Sequence, residues 1–283
     1  VSDLTRRSFL KAAAASAGAA VLAPPALLAQ EGGIRLGAQS YTFRNFDLEQ
    51  ALKRMKDLGL HYAEFYQKHV PAESPPEKLA AILKLCKEYD VTPAAYGVQR
   101  FTKNHDANKK LFDFGKALGI KAFSADPDPD SFDSLDKLCE EYQIAIGIHP
   151  HGPSGKGVHR WPTAEKIMDA VKSHYKLIGA CLDTGHLIRM AQVGQMIDPA
   201  LQVRVMGDRN FGMHLKDHDN KRKTDVVFGD PTGVLDVPAV LKALKEVGFK
   251  YTVSIEYEAN PAEPTADMRK NVAAVRDAAK KVG

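Results

Sequence analysis

The sequence predicts a single-domain (β/α)8 barrel, a TIM barrel, and three observations carry that reading. One pattern recurs along the 283 residues: the end of an amphipathic helix, a short break, then a strand. It is visible in "MKDLGLHYAEFY" (55–66), "CKEYDVTPAAYG" (86–97), "GKALGIKAFSAD" (115–126) and "CEEYQIAIGIHPH" (139–151), then in "YKLIGACLDTGH" (175–186) and "LKEVGFKYTVSIEYE" (244–258). "IRLGAQSYTF" (34–43) and "NFGMHLKDH" (210–218) add two more strands. The eight then begin near 34, 61, 92, 120, 144, 178, 211 and 251. Eight alternations of strand and helix over about 250 residues match such a barrel. An open doubly wound sheet is the rival, but no Gly-rich phosphate fingerprint follows the first strand.

The intervening helices carry start signals. Asp47 with Gln50, and Ser74 with Glu77, read as cap-and-third-residue pairs. Pro75 and Pro199 fall at first-turn positions. Ala51, Leu52, Met55 and Leu58 form one core-facing stripe. The longest excursions, 67–76 and 217–235, are expected on the face where the strands end.

The amino-terminal stretch stands apart from the repeat. "LTRRSFLK" (4–11) pairs Arg6 with Arg7, and an Ala-rich apolar run follows. This reads as a twin-arginine export signal over 1–29, with 30–283 as the catalytic domain and a periplasmic or exported location. An anchor is the weaker reading, because the run is mostly alanine and is broken by Pro24 and Pro25. Without the signal no membrane span is expected. The signal holds three basic residues and one acidic one, so 39 against 35 becomes 36 against 34. A nearly neutral chain offers no electrostatic footprint for nucleic acid. Cys86, Cys139 and Cys181 are odd in number and are expected as buried free thiols.

Polar groups collect at the strand ends, where such barrels place their chemistry. Strand parity sorts them. In the fifth strand Ala145, Gly147 and His149 share a side against Ile144, Ile146 and Ile148. Cys181 and Asp183 do the same in the sixth, His214 in the seventh and Glu256 in the eighth. Bulky residues then pack on the helices, while two imidazoles and two carboxylates face the barrel mouth. That donor set suits one divalent ion: Mn²⁺, Zn²⁺, Co²⁺ or Mg²⁺.

The pieces "ACLDTGH", "GMHLKD" and "VSIEYE", in that order, resemble the xylose isomerase-like TIM-barrel family of sugar isomerases and epimerases. The resemblance spans about residues 34–280. It implies a divalent ion held by Asp183, His214, Glu256 and a residue after the fifth strand. There the epimerase members carry a glutamate and this chain carries His149. It also implies a substrate-side role for His186. In those members two glutamates act as a proton-transfer pair, of which only Glu256 is present here.

The expected function is therefore metal-dependent enediolate chemistry on a small carbohydrate, unphosphorylated or oxidised, leading to isomerisation or epimerisation. A lyase or hydratase acting on a keto-sugar or keto-glycoside is the alternative. Glu256 is the first candidate base, with His151 or His186 as its acid partner. Lys216 is expected to stabilise an enolate oxygen, or to pair with Glu64 or Glu258. Glu64 is either a substrate contact or an acceptor behind a ligand. Gln39 and Arg189 are expected near the substrate. Trp161 either stacks on a sugar ring or packs its loop. A DNA-repair nuclease sharing the fold would need three ions and more ligands, and a sugar-binding protein without turnover is the remaining rival. The oligomeric state is not legible.

Overall fold

The structure, a computed structural model, describes residues 30–31, 33–155 and 157–283. The proposed twin-arginine segment lies outside them. Eight parallel strands close on themselves: β1 (Ile34–Gln39), β2 (Tyr62–Phe65), β3 (Thr92–Phe101), β4 (Ala122–Pro127), β5 (Ala145–Ile148), β6 (Ile178–Asp183), β7 (Asn210–Leu215) and β8 (Thr252–Ile255). Each begins within two residues of the start the repeat marks. Closure is made by β1, which pairs with β2 through Gln39 and Glu64 and with β8 through Ala38 and Ile255. The short strand Gln30–Glu31 adds antiparallel to β1.

Helices return the chain between strands: α1 (Leu48–Asp57), α2 (Pro76–Glu88), α3 (His105–Leu118), α4 (Phe132–Tyr142) and α5 (Ala164–Val171). The series continues with α6 (Thr184–Arg189), α7 (Pro199–Met206), α8 (Val237–Glu246) and α9 (Thr265–Val282). The stripe of α1 is buried: Ala51, Leu52 and Met55 are fully covered by the core. Each of the two larger side chains contributes roughly 1.5–3 kcal/mol by leaving water. The outward residues of the strands, among them Ile146, Ile148, Leu182, Met213 and Ile255, fill the layer between barrel and helices. Cys86, Cys139 and Cys181 are buried and free.

Two local expectations meet different fates. Asp47 accepts from the Gln50 backbone N–H, and the Gln50 side chain accepts from the Asp47 N–H, so the capping box is complete. The Ser74–Glu77 pair makes no such cap. That helix starts one residue later, at Pro76, with Pro75 in the cap position. The second proline already supplies the helical φ and has no N–H to satisfy, so Ser74 is pushed outside the helix and its hydroxyl is buried without a partner. Asp198 caps α7 with Pro199 at its first position, as the spacing predicts. The loop 217–235 is not irregular throughout: Asp217–Asp219 and Thr224–Val226 form an antiparallel hairpin over the carboxyl-terminal face.

Candidate metal centre and substrate cavity

Four side chains from consecutive strands converge at that face. Asp183 ends β6 directly opposite His214 on β7. His149 and Glu256 stand one residue beyond β5 and β8, yet their backbones are still held by the neighbouring strands. His149 N–H donates to Ala125 at 2.8 Å and Glu256 N–H to Leu215 at 3.1 Å. One ligand atom from each of the four lies within 4.8 Å of all the others. His149 Nε2 is 3.1 Å from His214 Nδ1 and 3.4 Å from Asp183 Oδ2. His214 Nδ1 is 3.7 Å from Asp183 Oδ2 and 3.3 Å from Glu256 Oε2.

These donors fit a divalent ion. A tetrahedral shell of donors about 2.0–2.2 Å from an ion has edges of about 3.3–3.6 Å, close to the separations found here. The Asp183 Oδ2 atom is buried and makes no hydrogen bond; Lys216 Nζ balances its charge from 3.5 Å, and its lone pairs are left for an ion. Its other oxygen accepts from the His186 N–H at 2.8 Å and caps α6. The capping and ligand readings of Asp183 are thus compatible, one oxygen each.

His214 shows how its tautomer is set. Its Nε2 lies 2.8 Å from Glu64 Oε2, so the ring donates there and presents the Nδ1 lone pair inward. Glu64 is itself fixed: Gln39 donates to its other oxygen at 2.9 Å, and the Ser124 hydroxyl donates to the same atom. Glu64 therefore stands behind a ligand, the arrangement that orients imidazoles in metal sites. The Gln39 amide is fully engaged, since its oxygen also accepts from the Tyr41 N–H.

Lys216 is buried among carboxylates. Its Nζ is 2.5 Å from Glu258, 2.9 Å from Glu256 and 3.5 Å from Asp183. Burial opposes the charge on each partner, but their mutual attraction outweighs it. Lys216 is held well above its ordinary pKa, while Asp183 and Glu256 are held below theirs. The "DTGH" motif builds this corner. The Thr184 hydroxyl donates to the Lys216 carbonyl at 2.7 Å and accepts from the Lys216 N–H at 2.9 Å. Gly185 packs against the lysine stem so closely that an added Cβ would lie 2.7 Å from it.

His186 and His151 flank the centre, with rings 5.0 Å apart and 5.3 and 4.7 Å from the His149 ring. The His186 Nδ1 atom accepts from the Gly152 N–H at 3.1 Å and lies 3.3 Å from the Arg189 guanidinium. Both partners can only donate, so the proton of the neutral ring sits on Nε2. Burial, then nearby Lys216, lowers the His186 pKa well below the usual value. Burial and the neighbouring His149 and His159 push His151 down to about 3.

A cavity of about 430 Å³ opens above the centre. His149, His151, His186, Arg189, Lys216 and Glu256 form one side, with Gln39 and Glu258 beside them. Tyr41 and Tyr66, in edge contact at 5.3 Å, form the other together with exposed Val98. Tyr66 and Val98 were not legible as site residues. An aromatic immediately after a strand end was the available signal for Tyr66. Trp161 is not brought to the cavity: it is buried, its indole N–H donates to Pro127 at 3.1 Å, and its ring meets Phe132.

A family model described as xylose isomerase-like TIM barrel matches residues 52–278. The chain belongs to that family. A comparison with curated protein sequences gives no match. Among solved structures, a Parabacteroides distasonis protein is 25% identical with a TM-score of 0.65, covering 86% of this chain and 97% of its own. A D-psicose 3-epimerase solved with D-fructose is 13% identical, with a TM-score of 0.64 and coverage of 88% and 98%. A 3-keto-D-glucoside 4-epimerase from E. coli is 14% identical, with a TM-score of 0.66 and coverage of 86% and 99%. At such identities the last two show the shared fold.

Proposed function

We propose that the protein is a divalent-metal-dependent enzyme that converts a keto sugar through an enediolate, as an isomerase or epimerase. The observation that carries this reading is the convergence of His149, Asp183, His214 and Glu256 at the floor of a sugar-sized cavity, with Asp183 Oδ2 buried and making no hydrogen bond. When bound, Mn²⁺, Zn²⁺, Co²⁺ or Mg²⁺ would draw electrons from a carbonyl and adjacent hydroxyl and lower the cost of enediolate charge. The family and its sugar-epimerase neighbours support the substrate class. The Arg6–Arg7 pair and the apolar run after it, read as a twin-arginine leader, point to a periplasmic or exported enzyme, and hence a sugar without phosphate.

The protein's own groups divide the remaining work. Glu256 takes the proton beside the carbonyl. Lys216 keeps it ionised and therefore free to take a proton, while weakening it as a base. Lys216 also places positive charge beside the oxygen that becomes negative. Return of the proton from Glu256 to the neighbouring carbon isomerises the sugar; epimerisation leaves that proton on Glu256 and takes another from His186 or His151 on the opposite face.

One observation favours a second reading, elimination. Where the epimerases carry a second glutamate, this chain has His149, and the nearby His186 is set as an Nε2–H donor by Gly152 and Arg189. A donor without a paired base suits protonation of a departing oxygen. The proton leaves to Glu256, the electron pair forms the double bond, the bond to the β-oxygen breaks, and His186 protonates that oxygen.

The test is proton exchange in D₂O, followed by NMR, with manganese-loaded protein and 3-keto- and 2-keto-hexoses and their methyl glycosides. Deuterium should enter beside the carbonyl, and Glu256→Gln should slow this at least a hundredfold, within the range for general bases of about 10²–10⁴. Release of methanol would select elimination, and an isomer or epimer would select the first reading. Absence of exchange with every sugar would overturn both.

A further inference from the structure

A second cavity, about 290 Å³, lies beside the first and shares Arg189 and Glu258 as a common wall. Its remaining lining comes from three loops of the same face: Gln192 after α6, His218, Lys223, Thr224 and Asp225 on the hairpin, and Ala259 after β8. None of these belongs to the metal centre, and nothing in the enediolate chemistry uses them.

The polar groups there are held in place from within. Asp225 Oδ1 is 3.0 Å from His218 Nδ1, and Asp225 Oδ2 accepts from the Glu258 N–H at 3.1 Å. Gln192 donates to Asn220 at 3.0 Å, with its Nε2 3.4 Å from His218 Nε2. His218 and Asp225 are almost completely covered. The Glu258 backbone thus ties the hairpin to the strand end that also carries Glu256.

The chemistry of this wall selects its occupant. Two cations, Arg189 and Lys223, stand against two carboxylates, Asp225 and Glu258. Arg189 is further engaged by His186 and by the Pro153 carbonyl. A charge-balanced pocket disfavours a phosphate, which would bring two negative charges to a wall that already holds two. The scarcity of apolar lining disfavours a greasy aglycone. Fixed side-chain donors and acceptors on a neutral wall match the hydroxyls of another sugar ring.

We propose that this cavity is a second glycosyl subsite, so that the substrate is a glycoside or disaccharide with its keto ring over the metal centre and its other ring among Gln192, His218, Thr224 and Asp225. The inference rests on the carbohydrate reading of the first cavity and specifies its substrate class. It also gives the elimination reading a leaving group, the second sugar.

The test is calorimetric binding to full-length, manganese-loaded wild-type protein, with chromatography of the ligand after each titration to show that none turns over. The probes are D-glucose, D-glucose 6-phosphate, and maltose, cellobiose, sucrose and trehalose. At least one disaccharide should bind ten times more tightly than glucose. Adding Gln192→Ala with Thr224→Ala should weaken that disaccharide at least fivefold and leave glucose within twofold; circular dichroism would confirm the fold. Equal affinity for glucose and every disaccharide would overturn the subsite and leave the first-cavity reading standing. So would tighter binding of glucose 6-phosphate than of any disaccharide, or a loss equal for mono- and disaccharide. If no sugar binds to folded, metal-loaded protein, the carbohydrate reading itself fails and the subsite fails with it.

Discussion

Glu64 is buried and touches only protein polar groups, yet it fixes which nitrogen of His214 faces the metal centre. Replacing it by glutamine keeps the volume and removes the charge that holds the imidazole N–H. Loss of such a partner typically weakens metal affinity about 10–100-fold. Glu64→Gln is therefore expected to show that loss in manganese or zinc titrations, with little change in circular dichroism; unchanged affinity would mean the contact is ornamental. The repeat placed the carboxylate on the second strand, but no pattern in one chain tells a side chain that meets substrate from one that meets a ligand's far nitrogen. That distinction depends on a partner 150 residues away. Lys216 shows the same limit: its pairing with Glu258 was an open option, whereas its approach to Glu256 and Asp183 follows from how β6, β7 and β8 lie side by side.

The two cap signals at α1 and α2 look alike in sequence and behave differently. Asp47 bonds the backbone at Gln50, whereas the Ser74 hydroxyl has no hydrogen-bond partner. Asp47→Ala should cost about 1 kcal/mol of stability, the usual value of a cap, and Ser74→Ala should cost clearly less. Urea unfolding of both variants checks this, and equal losses would contradict it. The starting signal of α2 was misread because two prolines in a row allow two starts, and the choice between them rests on tertiary packing. The hairpin at 217–226 was missed as an element for a related reason. Its strands are three residues each, too short for alternation to register. The eight barrel strands and their helices were legible because each repeats one pattern long enough to show its period.

Across the whole molecule, stability and function are coupled through buried neutral histidines. His151 has its pKa lowered to about 3, and His69 is lowered by burial as well. An unfolded chain binds a proton near 6.5 that the folded form refuses, so stability is complete above that pH and falls as pH drops from 6.5 toward 3. Each such group contributes a slope of at most about 1.4 kcal/mol per pH unit. In chelator-treated protein, unfolding free energy should therefore fall less between pH 7 and pH 5 in His151→Gln than in the wild type. Identical losses would show that His151 is protonated in the folded state. Among the described residues no helix is long and apolar enough to cross a membrane. Whether the four residues hold one divalent ion is read by elemental analysis of the purified protein. About one Mn, Zn, Co or Mg per chain is expected in the wild type, with its loss in both His149→Ala and Glu256→Ala. A wild type that holds no ion, and gains no thermal stability from added Mn²⁺, Zn²⁺, Co²⁺ or Mg²⁺, would contradict it.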